Sequence, residues 1–533
     1  MRHVEARAGA YADSVTLMQI TAQAQAIDGV RTALVAMATD LNLGLLAGLG
    51  LQAPPGAGPN DMLVAIVSDD SGSLAAGLAA VDRALAARPA DSAGGAGAGD
   101  AGQPPRTTLS AARRFGPALA LISVPGQHAF AEAVDALDSD CDVMIFSDNV
   151  PVNQEIWLKD RAAERGLLVM GPDCGTAIVG GVGLGFSHSV KRGPIGLVAA
   201  SGTGAQQVVC LLDAAGSGVS AVLGVGGRDL SAEVGGRSAR SALTALDADP
   251  ATELIVLLSK PPAAEVAAQL RAYAASLATP VQFALIGPGQ PDLTEAAESA
   301  LRAIGQEVPA WPTWTCGGGE TQAVREDGTG ATRGGPGGRP PGPAPRGVPG
   351  GRPPARTLRG LFAGGTLCDE AMVIAAGRVG PVYSNIPLRA EWRIDPGGPA
   401  GHGDARHIMI DFGDDELTAG RPHPMIDQRL RLDRLAAEAA DPAAGVIMLD
   451  VVLGHGAHHD PASELAPAIA SALAGRADDL TVVVSLIGAR SDPQGLTAQA
   501  RALAEAGSHV FASNAAAARF ACGRIERQAA GSD

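Results

Sequence analysis

The sequence predicts an α/β protein: a Rossmann-like domain plus two doubly wound, flavodoxin-like lobes. Short, continuously apolar runs such as 119–124 and 254–258 suit strands that helices cover on both faces. Strand-like and helix-like segments alternate along most of the chain, the pattern of parallel sheets. A strand, a Gly-Thr turn and a helix then occur together twice, as an internal repeat. At 533 residues the chain is too long for one core. Hydrophobic residues make up 46% of it and aromatics only 3%, so Ala, Val, Leu and Ile must fill the cores.

Taken in order, 60–67 is strand-like and 73–87 helix-like, which gives an N-terminal α/β domain over 1–110. Residues 88–106, rich in Gly, Ala, Asp and Pro, read as a flexible excursion from it. A Rossmann-like unit spans 111–190, with strands at 119–124, 143–146 and 167–170 and helices at 130–137 and 153–165. No G-x-G-x-x-G turn follows its first strand, so nothing there specifies a dinucleotide.

The first lobe, 191–315, has a strand at 195–200, the turn Ser201-Gly202-Thr203 and a helix from Gly204. Its Asp249-Pro250 leads into the strand 254–258. Residues 316–356 repeat Gly, Pro and Arg with almost nothing apolar, too little to offset ordering entropy, and read as a disordered linker. The second lobe, 357–527, repeats the first: strand 358–362, turn Gly364-Gly365-Thr366, helix from Leu367, then Asp441-Pro442 before the strand 446–452. Gly227-Arg228-Asp229-Leu230 matches Asp414-Asp415-Glu416-Leu417 between those landmarks.

A formal net charge of −16 repels nucleic-acid phosphates and anionic membranes, which excludes both as partners and leaves small-molecule anions held locally. The six cysteines form no CxxC pair; they read as buried free thiols, not disulfides or a metal site. The first residues lack the apolar core of a signal peptide, and no apolar stretch is long enough to span a bilayer. The expected location is cytoplasmic.

Ligands of open parallel sheets bind at strand carboxyl ends, beside helix N-termini. Ser201, Gly202, Thr203 and Gly204 would place free N–H groups at the positive end of a helix, where phosphate binds. The plainer reading is that Ser201 or Thr203 caps the helix. In the second lobe Gly454-His455-Gly456 precedes a helix near Pro461. If the lobes pack about a pseudo-two-fold axis, Gly454 and Gly456 would close the other side of a paired phosphate clamp. Lys260, one of three lysines, follows the strand 254–258 and could bind the anion, or be a solvated strand-end charge. His455, with His458 and His459, is either a nucleophile or metal ligand, or part of a surface cluster. The turn Gly171-Pro172-Asp173-Cys174 also ends a strand; Cys174 is a nucleophile candidate, but turn packing explains it as well. No G-x-x-x-x-G-K-[ST] loop is present, and no span remains for a nucleotide-grasping domain, so any ATP site belongs on another chain.

The Met170–Gly175 stretch MGPDCG resembles the G-P-N-C turn of succinyl-CoA synthetase α subunits, and 196–203 (GLVAASGT) resembles their phosphate-facing strand and helix. FSDNV at 146–150, GVGGRDLSAEVGG at 224–236, SKPP at 259–262, RPHPMID at 421–427 and LDVVLGHG at 449–456 resemble the FdrA family. The resemblance covers most of the chain outside the two low-complexity segments. It implies a CoA-binding-type domain followed by two succinyl-CoA-ligase-type lobes, and a substrate-facing role for Gly171, Pro172, Asp173 and Cys174. Three features depart from the synthetases. The Gly-His-Ala-Gly segment of their phosphohistidine is missing after Pro262, Lys260 stands where an acidic residue is expected, and the glycine-rich CoA-binding turn is absent. The family therefore points to carbamoyl phosphate or phosphate as ligand, in an oxamate carbamoyltransferase of allantoin catabolism built with separate partner subunits of a hetero-oligomer. CoA is the ligand of the alternative, an acyl-CoA synthetase subunit; a non-catalytic scaffold is the third reading.

Overall fold

The computed structural model describes residues 1–530 apart from 9, 11, 13, 87–104, 317, 323–355, 397–405, 419–420 and 477–478. Most of the flexible excursion (88–106) and of the linker (316–356) expected from composition lies outside the described residues.

In the N-terminal part, Met62–Ser68 lies between Arg2–Arg7 and Val30–Met37, antiparallel to both. Alternate residues of the central strand serve two cores. Val64 and Ile66 meet Leu17, Ile20 and Val81 on one face, while Leu63 and Ala65 meet Leu46 and Leu51 on the other. The Rossmann-like part has parallel strands Leu119–Ile122, Asp142–Ile145 and Val169–Met170, with helices Gly126–Asp138 and Val152–Glu164 between them.

The duplication is visible in strand order. The first lobe runs Val281–Leu285, Leu254–Ser259, Arg192–Ala200, Val219–Gly224; the second runs Thr481–Ile487, Ala444–Val452, Thr357–Phe362, His407–Asp411, all parallel. Each lobe borrows strands from a neighbouring span. The hairpin Thr176–Val179/Val182–Gly185 joins the first lobe's sheet, and Pro312–Thr315, read as the end of the first lobe, pairs antiparallel with His509–Phe511 of the second. Gly318–Gln322, inside the span read as disordered, adds a further strand there.

The lobes meet through the helices Gly202–Ala214 and Gly365–Arg378, backed by Leu293–Ala303 and Asn514–Ala530. Residues 204–213 are all buried, as expected of a helix wedged between two sheets. One apolar cluster runs unbroken from Leu197 and Val208 through Leu367 and Met372 to Ala518. This packing fixes how the two repeated turns face each other.

Candidate active site

A cavity of about 1360 Å³ opens at the carboxyl ends of the sheet strands and is lined from all four parts of the chain. The two repeated turns meet in its wall. Ser201 Oγ lies 2.7 Å from Thr366 Oγ1 across the lobes, and a Cβ on Gly364 would come within 2.7 Å of Thr203. Glycine at 364 is therefore what lets the two helix ends approach. The second turn is clamped from behind: Asp450 accepts the Ala363 and Gly364 N–H groups at 2.7 and 2.8 Å and pairs with buried Arg431 at 3.2 Å.

The first N–H groups of a helix have no partner within it. At Gly202 and Thr203, and at Gly365 and Thr366, they lie against this cavity, so two positive helix ends converge on one space. Ser201 itself caps its helix by accepting from Gly204 N at 3.2 Å, the plainer of its two expected roles. Gly204 lies beneath it, away from the lining.

Lys260 reaches the same space immediately after the strand Leu254–Ser259, with Nζ 2.7 Å from Asp369 Oδ2 and 44% of its side chain exposed. Enclosure works against its charge, but Asp369 and then Asp411 raise its pKa above the ordinary value, so it is an ammonium at any neutral pH. Asp411 ends the strand His407–Asp411 and is only 6% exposed. Burial pushes its carboxyl up to about 7; the Gly413 N–H and Lys260 pull it down, and Asp450 and Asp369 add to the rise. A Cβ on Gly365 would lie 2.6 Å from Asp411 Oδ2 and 3.5 Å from Lys260 Nζ. Asp173 also faces the cavity from an exposed position at its opening; the surrounding wall, then Asp415 and Asp148, raise its carboxyl.

His423 was not singled out from sequence, nor was Asp411. The RPHPMID stretch carries the histidine into the lining, 5.6 Å between ring centroids from Phe186. Its Nδ1 accepts the Met425 N–H at 3.2 Å, and burial, then Arg431, push its pKa down to about 4. A neutral imidazole accepting at Nδ1 carries its proton on Nε2, so the cavity-facing nitrogen is a hydrogen-bond donor, not a nucleophile.

The expected second arm of the clamp is corrected. Gly454, His455 and Gly456 do not line the cavity. Their turn is held against the segment that follows the hairpin and against the N-terminal part: His455 N donates to Ser187 O at 2.7 Å, His455 Nε2 lies 2.9 Å from Ser189 Oγ, and Gly456 O accepts from Gln19 at 3.2 Å. A Cβ on Gly454 would strike Ser187 O at 2.4 Å, so that glycine answers a packing demand. In the strand-end turn of 171–174, Asp173 and Cys174 reach the lining, whereas Gly171 and Pro172 only shape the turn. Cys174 is buried and its thiol is pushed up to about 12, chiefly by desolvation, which removes it as a nucleophile. Iodoacetamide at pH 7.5 should label exposed Cys316 on the folded chain and spare Cys174; mass mapping of the alkylated peptides checks this.

Two doubly wound lobes clasped at their helix ends define a CoA-ligase-type protein, and residues 361–523 match the CoA-ligase family model. Residues 1–102 match the model of the AllF heavy metal-associated domain. That span holds no cysteine and a single histidine, His3, and no group of three or more metal-binding side chains is assembled among the described residues, so its residues do not fit a metal. The chain is 37% identical over 514 residues to the uncharacterized protein YahF of Escherichia coli K12, covering 93% of both. It belongs to the FdrA family.

It is also related to the α subunit of ADP-forming succinate–CoA ligase from Aquifex aeolicus, 30% identical over 160 residues, which is 29% of this chain and 51% of that subunit. The structure of a dinucleotide forming acetyl-coenzyme A synthetase from Ca. Korarchaeum cryptofilum, in complex with phosphate and ADP, overlays 77% of this chain and 84% of that one at 14% identity, with a TM-score of 0.27. Among the described residues no helix is long and apolar enough to cross a membrane.

Proposed function

We propose that the chain is the anion-handling subunit of a carbamoyltransferase. It would hold carbamoyl phosphate, or phosphate, between the helix ends at Gly202 and Gly365 and against Lys260. The carbamoyl group then moves to or from an amide nitrogen, that of oxamate in allantoin catabolism, with separate partner subunits completing the enzyme. The convergence of two helix N-termini and a charged lysine, with no histidine nucleophile between them, carries the reading.

In the transfer, the acceptor nitrogen attacks the carbamoyl carbon, the C–O bond to phosphorus breaks and the electron pair leaves on phosphate. Negative charge grows on the phosphate oxygens, where fixed N–H dipoles and an ammonium stabilise it without reorganising. Holding both reactants in one enclosed space supplies the rest. The purified chain, combined with its partner subunits, should release phosphate from carbamoyl phosphate and oxamate, with one carbamoylated oxamate formed per phosphate. Thioester formation dependent on ATP and CoA, without that release, would overturn the reading.

One observation favours the second reading, an acyl-CoA synthetase subunit. About 1360 Å³ far exceeds carbamoyl phosphate, and the wall supplied by the N-terminal part is largely apolar, with Leu34, Met37 and Leu45. Such a wall suits an acyl group or the arm of CoA, as does the kinship with a succinate–CoA ligase subunit.

A further inference from the structure

We infer that Asp411 binds the anion as a carboxylic acid, so that anion binding takes up one proton, and that this carboxyl then shuttles the proton between acceptor nitrogen and departing phosphate. The inference rests on the anion-clamp reading and names the group that handles its proton.

The geometry is built around this side chain. Asp411 ends a strand at the floor of the cavity, and glycines stand on both sides of its carboxyl. A Cβ on Gly365 would lie 2.6 Å from Oδ2, and a Cβ on Gly413 would lie 3.2 Å from Oδ1 and 2.8 Å from His423 Nε2. Any side chain at either position would fill the space in front of the carboxyl. Oδ1 is fixed by accepting the Gly413 N–H at 2.9 Å, and the Asn385 side chain brackets the Asp411 backbone, donating to its O at 2.9 Å and accepting from its N at 3.0 Å. Oδ2 is left toward the N-terminus of the helix Gly365–Arg378.

An ionised carboxylate there would compete with the anion for the same helix end. A protonated one donates a hydrogen bond to it instead. The charged neighbours make the choice sensitive to pH. Lys260 faces Asp411 from the first lobe, Asp369 and Cys368 from the helix, Asp450 from the strand Ala444–Val452 one strand further along the sheet, Arg431 from the helix Arg429–Ala440, and His423 from the loop. Burial outweighs Lys260, leaving the carboxyl at about 7, and an added anion raises it further. In the transfer, Asp411 gives its proton to the phosphate oxygen as the C–O bond breaks. The carboxylate so formed takes the proton that the acceptor nitrogen loses as its bond to the carbamoyl carbon forms. Protons balance, and Asp411 ends as it began.

The test is titration of the purified full chain with sulfate, a dianion that does not itself titrate between pH 5.5 and 8.5. Affinity should fall as pH rises above 7, approaching about tenfold per pH unit, the limit for one proton taken up. Calorimetry in buffers of differing ionisation enthalpy should find close to one proton bound per sulfate near pH 8. Asp411→Asn, whose amide still donates, should bind sulfate at pH 6 about as well as the native chain and lose the slope. Asp173→Asn, which removes another raised carboxyl of the lining, should keep it. A native affinity independent of pH, no proton uptake, or a slope lost in Asp173→Asn and kept in Asp411→Asn would overturn the inference. Sulfate failing to bind at any pH would overturn the clamp itself, and this inference with it.

Discussion

Lys260→Ala should weaken phosphate and carbamoyl phosphate binding roughly tenfold or more, the low end of what one charge-assisted hydrogen bond, about 1.5–3 kcal/mol, provides. The low end applies because the side chain is 44% exposed and partly screened. Loss of the ammonium also leaves Asp369 and Asp411 facing the helix ends without their counter-charge, which raises both carboxyls further. Stability should change little, since the lysine that is removed is itself 44% exposed and screened by solvent. The sign of the pH dependence separates this lysine from Asp411. Its pKa is raised in the folded chain, so its contribution is complete below the unfolded value of 10.5 and is lost only as pH rises through the still higher folded one. Between pH 6 and 8 Lys260 contributes a constant charge, so removing it should lower affinity, and because it also raises the Asp411 carboxyl the fall of affinity with pH should begin at a higher pH than in the native chain, whereas Asp411→Asn abolishes it. Calorimetric titration of both chains checks this, with phosphate at one pH for the loss of affinity and with sulfate, which does not itself titrate in this range, for the pH dependence.

Lys159→Met should destabilise the fold by about 3–5 kcal/mol, the range for stripping a buried charge of its partner. Lys159 is fully buried in the joint between the Rossmann-like part and the first lobe, 2.7 Å from Glu155 and 2.8 Å from Asp229. Its third bond, 3.1 Å to Val225 O, fixes the loop whose Gly226 and Gly227 line the cavity. Asp229 also accepts the N–H groups of Ser238 and Ala239 at the start of the helix Arg237–Asp247. Methionine preserves the stem but leaves buried Asp229 without its cation and Glu155 with only the partly exposed Arg228, 2.9 Å away. Denaturant unfolding should show a lower midpoint, and anion affinity should fall as the wall loosens.

The architecture was legible because apolar runs and repeated landmarks are local. The strands expected at 254–258 and 358–362, which the structure extends by one residue each, and both Gly-Thr turns are visible in local sequence pattern. Which turn of the second lobe faces the first could not. Gly364-Gly365-Thr366 and Gly454-His455-Gly456 both follow a strand and offer glycines. They are told apart only by helix packing across the lobes and by the segment around Ser187, just after the hairpin, which packs against the second turn. Lys260 was visible as a rare residue after a strand, but its partner Asp369 lies 109 positions later in a helix, and nothing local joins them. Asp411 carried a usable signal, an acidic residue closing an apolar strand, yet its significance depends on burial and on Lys260. His423 lies within RPHPMID, and its role as a donor rests on one backbone hydrogen bond that sequence does not reveal.

The central claim is that one anion lies between the helix ends at Gly202 and Gly365. A crystal structure of the chain with bound phosphate tests it most directly. Phosphate should lie within hydrogen-bond distance of N–H groups from both turns and of Lys260 Nζ, with Asp411 facing one of its oxygens. Phosphate seated at Gly454–Gly456, or on only one helix end with Lys260 still paired to Asp369 alone, would contradict it.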